Sequence, residues 1–257
     1  MNPKGDPDVL LDGKNAIIYG GGGAIGGAVA RAFAREGAKV HLVGRTVQPL
    51  EAVADEIRAT GGEAEIAQLD ALDPAAVDAH ADAVAGKDGR LDVSFCLISQ
   101  GDVQGTPLHE MSVEDFMEPV HRTVKAMFVT SRAAARHMIR QRSGVILAFG
   151  GYGPPTAKLG GLQVAFGAVE SLRRSLAREL GQYGIRVLTL QTGGIPETIP
   201  EGLAWRQAIT EQTVRRTMLG RAATLADVGN AAVIAASDYA RTMTATALNI
   251  TCGAVPD

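Results

Sequence analysis

The stretch Asn15 to Gly37, NAIIYGGGGAIGGAVARAFAREG, decides the fold. It begins as a short apolar run of strand length. It passes through four consecutive glycines and continues with the 3.6-residue period of an amphipathic helix. Gly21, Gly23 and Gly26 satisfy the pattern G-x-G-x-x-G. In a chain with 31 glycines that pattern is weak alone. Its position between a strand and a helix gives it meaning. Glycine in regular structure costs about 0.5–1 kcal/mol relative to alanine. Four in a row therefore need a reason. A tight turn whose backbone N–H groups approach a pyrophosphate at a helix N-terminus supplies one. A flexible surface loop is the alternative.

Outward from this turn the chain alternates. Apolar runs of strand length recur at Asn15–Tyr19, Lys39–Val43, Glu63–Gln68, Leu91–Ile98, Gly144–Phe149, Ile185–Leu190 and Ala247–Ile250. Between them lie segments of helical period: Ala24–Glu36, Val47–Thr60, Ala75–Ala85, Val113–Gln141, Gln163–Tyr183 and Leu225–Ser237. This pattern predicts an α/β fold. Its core is a doubly wound parallel sheet of about seven strands, the Rossmann fold, with helices on both faces. The long segment Val113–Gln141 is expected to bend or break. No Gly/Ser linker or charge block divides the chain, so residues 1–257 read as a single dinucleotide-binding domain. Residues 196–220, PETIPEGLAWRQAITEQTVRRTMLG, depart from the alternation as one or two short helices. Ligands of open α/β sheets bind beyond the carboxyl ends of the strands, so this insertion is expected to act as a lid.

Composition narrows the function classes. The chain has 257 residues, 46% hydrophobic and 21% charged, with a net charge of −3. That balance gives no basic field for nucleic acid or an anionic membrane. The six Phe, four Tyr and one Trp do not interleave with basic residues as a base-stacking platform would. No apolar run approaches the ~20 residues needed to span a bilayer. The polar N-terminus lacks a signal core, and the two cysteines, Cys96 and Cys252, form no disulfide framework. A cytoplasmic location is expected. His41, His80, His109, His121 and His137 are scattered without metal-ligand spacing, and are expected on partly exposed helices or loops.

Two further strand ends carry chemistry. The second strand ends in Gly44-Arg45-Thr46. NAD-preferring dinucleotide folds place an acid here for the ribose 2′-hydroxyl, whereas an Arg suits the 2′-phosphate of NADP. A solvated strand-end charge is the alternative. The third strand ends at Asp70, whose carboxylate is able to accept from the adenine amino group, although Asp also initiates turns.

Taken together, the chain resembles the short-chain dehydrogenase/reductase family over essentially its whole length. The family's T-G-x-x-x-G-x-G falls on Tyr19 to Gly26, with Tyr19 for Thr and Ala24 for Gly. Its N-N-A-G falls on Cys96-Leu97-Ile98-Ser99. The helix QVAFGAVESLRRSLAREL, from Gln163, follows the family's run closely, and P-G falls on Thr192-Gly193. The resemblance implies cofactor contacts from Gly20, Gly22, Gly23, Ala24, Ile25 and Gly26 in the turn. It adds Arg45, Thr46, Asp70, Ala71, Ser99 and Thr198, with NADP(H) preferred over NAD(H).

The same resemblance places the family's catalytic Asn, Ser, Tyr and Lys on Thr123, Gly151, Leu162 and Phe166. None of these offers the family's proton donor or its lysine charge. General acid–base help is worth typically 10²–10⁴-fold, so ordinary ketone reduction should be very slow. Tyr152 is a substitute donor, with Lys158 near it; a loop anchor and a solvated charge are the alternatives. Cys96 is a nucleophile candidate against the commoner role of an inert small hydrophobe. His121 and Arg122, near the Asn position, are expected on the helix surface, and Trp205 over apolar surface. The implied function is an NADP(H)-binding oxidoreductase with a non-standard, apolar site, suited to a small apolar or already activated substrate. The alternatives are a catalytically silent binding or assembly subunit, and non-redox chemistry such as isomerisation. A homo-oligomer, a tetramer on the two long helices, is also expected, because the helix from Gln163 carries small and apolar residues on more than one face.

Overall fold

The structure, a computed structural model, describes residues 9–151 and 153–256. Seven strands form one parallel sheet: β1 (Asn15–Tyr19), β2 (Lys39–Gly44), β3 (Glu63–Gln68), β4 (Val93–Cys96), β5 (Gly144–Gly150), β6 (Ile185–Gln191) and β7 (Ala247–Asn249). Their spatial order is β3-β2-β1-β4-β5-β6-β7. The chain winds outward from β1 in one direction and from β4 in the other. The doubly wound parallel sheet read from the alternation is the fold.

Strand side chains alternate between faces, and the core divides accordingly. Ala16 and Ile18 of β1 pack with α1 (Ala24–Arg35), α2 (Val47–Ala59) and α7 (Leu225–Ala236). Ile17 and Tyr19 pack on the other face with α3 (Pro74–Asp88), α4 (Val113–Gln141) and α5 (Leu162–Leu180). Buried on both sides, the central strands read as continuous apolar runs. Several caps fix where helices start. Asp73 accepts from Ala75 N and Ala76 N, and Ser112 accepts from Asp115 N. Thr224 and Asp227 form a capping box at α7.

α4 runs unbroken for 29 residues, with Pro119 inside it. The helix does not break. Pro119 is buried beside the α5 entrance, where a Cβ on Gly161 would lie 3.2 Å from its ring. Residues 196–220 form a 3₁₀ turn, Pro196–Thr198, and α6 (Ala204–Arg215). Among the described residues no helix is long and apolar enough to cross a membrane.

His41 and His137 depart from expectation, whereas His80, His109 and His121 lie on helices or turns and are partly or fully exposed. His41 is buried in β2 with Nε2 3.0 Å from the Asp88 carboxylate. His137 is buried with Nε2 2.7 Å from Asp82. Burial, followed by the nearby His41, pushes the His80 pKa down to about 4. A histidine with a charged partner, or one left neutral, is accommodated in a sheet or helix interface that periodicity alone does not mark. Among the described residues no group of three or more His, Cys, Asp or Glu is placed to hold a metal ion.

The first helix meets the first strand at a point with no room for a side chain. A Cβ on Gly26 would lie 2.1 Å from the Gly20 carbonyl oxygen. Gly26→Ala is therefore expected to destabilise the protein by about 2–4 kcal/mol. Gly86→Ala in α3, where nothing lies within 4 Å, is expected to be neutral or stabilising by up to about 1 kcal/mol. Urea unfolding of both variants checks the pair; equal effects would contradict the close-approach argument.

Candidate functional site

A cleft of about 280 Å³ opens beyond the carboxyl ends of β1 to β4. This is where the strand order reverses between β1 and β4, the usual ligand position in such sheets. Its floor is built by the glycine turn. Gly20, at φ +83°, donates its N–H to Val43 O at 2.8 Å. A Cβ there would meet Leu97 O at 2.4 Å. The backbone of β4 thus packs directly on the turn. Gly23 caps α1 without any side-chain hydrogen bond. Gly23 also lines the cleft, so the N-terminal end of α1 borders it, where the helix dipole favours an anion.

The walls bring together most of the residues read from the sequence. Gly20, Gly22, Gly23, Arg45, Thr46, Asp70, Ala71 and Ser99 all line this one cleft. Ala24 and Ile25 open α1 beside it. Gly26 sits behind Gly20 and serves the close approach. Arg45 is exposed, and its backbone oxygen accepts from Gln68 Nε2 at 2.9 Å. Its guanidinium has no ion-pair partner among the described residues. Thr46 caps α2 without using its hydroxyl. Asp70 accepts from Leu72 N at 2.9 Å through one carboxylate oxygen, forming a turn. Its second oxygen makes no hydrogen bond within the described residues. Both readings of Asp70 therefore have a physical basis.

Thr198 is the exception. Its hydroxyl donates to Ile195 O at 2.8 Å within the 3₁₀ turn, and it does not line the cleft. The short helix spends that hydroxyl locally. Conversely, Arg122 was assigned to the helix surface, yet it lines the cleft. Its Nε donates to Ser99 O at 3.3 Å. The signal for it was its adjacency to Thr123 on the face of α4 that turns toward β4. Pro49, Leu50 and Leu97 complete the apolar lining.

Beyond β4 the character changes. Cys96, Gln100, Thr123, Met127, Phe149 and Val169 enclose a cavity of only about 10 Å³, room for about one water. Thr123 Oγ1 is buried there without a hydrogen-bond partner. Burial pushes the Cys96 thiol up to about 11, so it is not a thiolate at neutral pH. On β1, next to Cys96 in the sheet, burial raises the Tyr19 phenol above its usual range, with smaller contributions from Cys96 and Asp78, and keeps it neutral. Leu162 begins α5, half-buried, and Phe166 lies one turn on. A Cβ on Gly150 would come within 2.9 Å of the Phe166 ring. The aromatic ring therefore lies on the end of β5, and the glycine there is what admits it. Gly151 lies beside Thr192, whose carbonyl oxygen would stand 3.0 Å from an added Cβ. Lys158 is exposed on the loop before α5, at φ +64°. His121 is exposed on α4, and Trp205 is 54% exposed on α6. Tyr152 lies outside the described residues.

With this geometry in place, comparison with known proteins is informative. A family model described as enoyl-(acyl carrier protein) reductase matches residues 22–254. Gluconate 5-dehydrogenase of Gluconobacter oxydans is 31% identical over 242 residues, 90% of this chain and 91% of its own. The 3alpha-hydroxysteroid dehydrogenase of Mediterraneibacter gnavus is 31% identical over 248 residues, 94% of this chain and 97% of its own. A crystal structure of a short-chain type dehydrogenase/reductase from Mycobacterium marinum superposes with a TM-score of 0.83 at 28% identity, over 96% of each chain. Such end-to-end agreement in sequence and fold places the chain in the short-chain dehydrogenase/reductase family. These relatives are dehydrogenases and reductases, and the family uses nicotinamide cofactors.

The contact between Gly150 and Phe166 is directly testable. Gly150→Ala is expected to cost about 1–3 kcal/mol through overpacking, and the cost should shrink in a Phe166→Ala background. A double-mutant cycle by thermal unfolding should give a coupling of at least about 0.5 kcal/mol. Simple additivity would show that the ring does not rest on β5.

Proposed function

We propose that this protein binds NADP(H) in the cleft and is an oxidoreductase whose reaction centre lacks the family's usual proton-transfer residues. The observation that carries the cofactor reading is Arg45, exposed at the end of β2 and free of ion pairs among the described residues, in one cleft with the glycine turn and the Thr46 hydroxyl. A guanidinium suits a phosphate monoester through paired charge-assisted hydrogen bonds. The residues present also fit the nucleotide half sterically. Gly20 and Gly22 leave a backbone cradle that a Cβ would fill, at 2.4 Å from Leu97 O and 2.9 Å from Pro49 Cβ. Asp70 and Ala71 take the adenine end. When bound, a nicotinamide supplies or accepts hydride; the chain's own residues hold and orient it.

The reaction centre is read from what its side chains offer. Thr123, Gly151, Leu162 and Phe166 stand at the positions of the family's Asn, Ser, Tyr and Lys. Leu and Phe neither donate a proton nor order a ribose. Such a site favours a small apolar substrate, or one already activated, such as an iminium or conjugated system, over a simple ketone. A catalytically silent binding or assembly subunit is the second reading, favoured by the Phe166 ring resting on Gly150. The proposal extends to the assembly. Val113, Met117 and Phe128 of α4 and Val164 of α5 are 80%, 45%, 49% and 50% exposed. These support a homo-oligomer on the two long helices. Residues 196–220, with Trp205 outward, are proposed as a lid over the site.

Two measurements test this. Arg45→Ala is expected to weaken NADPH about tenfold to a hundredfold while leaving NADH within about twofold, by fluorescence titration. Equal losses would remove Arg45 from the 2′-phosphate.

The wild type is expected to show negligible turnover of simple ketones with NADPH. Gly151→Ser, Leu162→Tyr and Phe166→Lys together should create measurable reductase activity, while each alone should not, because such groups act as a unit. Brisk ketone reduction by the wild type would refute the absence of a donor, and Tyr152→Phe would then test whether that residue supplies one.

A further inference from the structure

Arg122 stands on α4 and lines the same cleft as the start of α1, and its side chain is 17% exposed. Its bonds are few and long. Nε reaches Ser99 O at 3.3 Å and Nη1 reaches Glu118 at 3.4 Å. Glu118 is itself 46% exposed, so this pair is a weak surface contact. Nη2 has no partner among the described residues. The local backbone makes room for the side chain. Gly101 sits at φ +71°, and a Cβ there would meet Arg122 Cδ at 3.1 Å. A long cation is thus held inside a cleft, with its donors incompletely used and its nearest acid on the solvent side.

The glycine turn in the same cleft explains what such a cation would meet. Gly22 and Gly23 lead into α1 with no side-chain cap, so the positive end of that helix faces the same 280 Å³ cleft. Arg45 lies along the cleft at the end of β2. A ligand carrying a diphosphate at α1 and a further phosphate at Arg45 would bring its diphosphate into the cleft that Arg122 also lines. A helix N-terminus and a guanidinium in one cleft both favour a dianion.

We propose that Arg122 is a cofactor-binding residue that contacts the diphosphate, the part common to NADP(H) and NAD(H). Arg45 alone discriminates between the two. This rests on reading the cleft as the dinucleotide site. The two arginines divide the work: Arg122 sets affinity for either dinucleotide, and Arg45 sets the preference. A contact to phosphate also makes binding depend on salt.

The test is calorimetric titration of NADPH, NADH, ADP and adenosine into wild type, Arg122→Ala and Arg122→Gln. Gln keeps a donor for Ser99 O without the charge, and so serves if Ala disturbs the fold; thermal unfolding checks both. The expected result is a common weakening of NADPH, NADH and ADP by about tenfold in both variants, with adenosine unchanged and a shallower salt dependence. Unchanged affinities in variants of a wild type that binds would overturn the Arg122 assignment alone. So would an equal loss for adenosine, which would assign Arg122 to the base or ribose. A wild type that binds none of the four would overturn the dinucleotide reading of the cleft, and this assignment with it.

Discussion

The crossing of α1 over the end of β1 sets the geometry of everything around it. With the hypothetical Gly26 Cβ 2.1 Å from Gly20 O, and the Gly20 Cβ 2.4 Å from Leu97 O, three backbone segments touch with no side chain between them. That contact holds the N-terminal end of α1 beside the cleft and β4 against β1. It also fixes where Leu97, Ile98 and Ser99 emerge into the cleft. The layers on both faces of the sheet inherit the arrangement, because Ile18 and Tyr19 precede the turn and belong to opposite cores. Binding free energy at such a site does not have to pay for ordering the loop, since packing has ordered it already.

The carboxyl edge of the sheet has two unlike halves. Over β1 to β4 it is open and carries Arg45, Arg122, the Thr46 hydroxyl and a helix terminus. Near β5 it is apolar and close-packed, with Phe166 against Gly150 and about 10 Å³ left beside Cys96 and Thr123. In the proposed reading, charge-assisted recognition belongs to the first half. In the second, burial keeps the Cys96 thiol protonated, so it is not poised to act as a base. In the proposed reading, affinity for the cofactor comes from the nucleotide half, and whatever chemistry the protein performs uses a substrate that needs little proton help.

The fold was legible because its signals are local. Asn15–Tyr19 and Glu63–Gln68 have the same bounds in sequence pattern and structure, since apolar runs bounded by Gly and charge define strands. The fourth strand is shorter than its apolar run, Val93–Cys96 against Leu91–Ile98. Its later residues leave the sheet to line the cleft, and apolarity does not distinguish those two fates. Of the cleft residues, Arg45 and Asp70 were readable from their position at strand ends, and Ser99 from the resemblance alone. Arg122 was not, because a charged helix residue looks solvated until the neighbouring strand end is known. Thr198 was assigned by resemblance, and its turn consumes the hydroxyl locally. The burial of His41 and His137 was not legible for a related reason. The His41 imidazole lies beside Asp88, which is 47 residues distant in sequence.

The central claim is that the nucleotide half of the cleft is built for binding while the half near β5 adds little. Comparing adenosine 2′,5′-bisphosphate with NADPH by isothermal titration calorimetry tests it most directly. The fragment carries the 2′-phosphate and adenine but lacks the nicotinamide half and the second phosphate of the diphosphate. The account predicts a dissociation constant within about tenfold of that of NADPH, a gap of about 1.4 kcal/mol at most. NADPH binding a hundredfold or more tighter than the fragment would contradict it, because the nicotinamide half would then hold a well-formed site of its own.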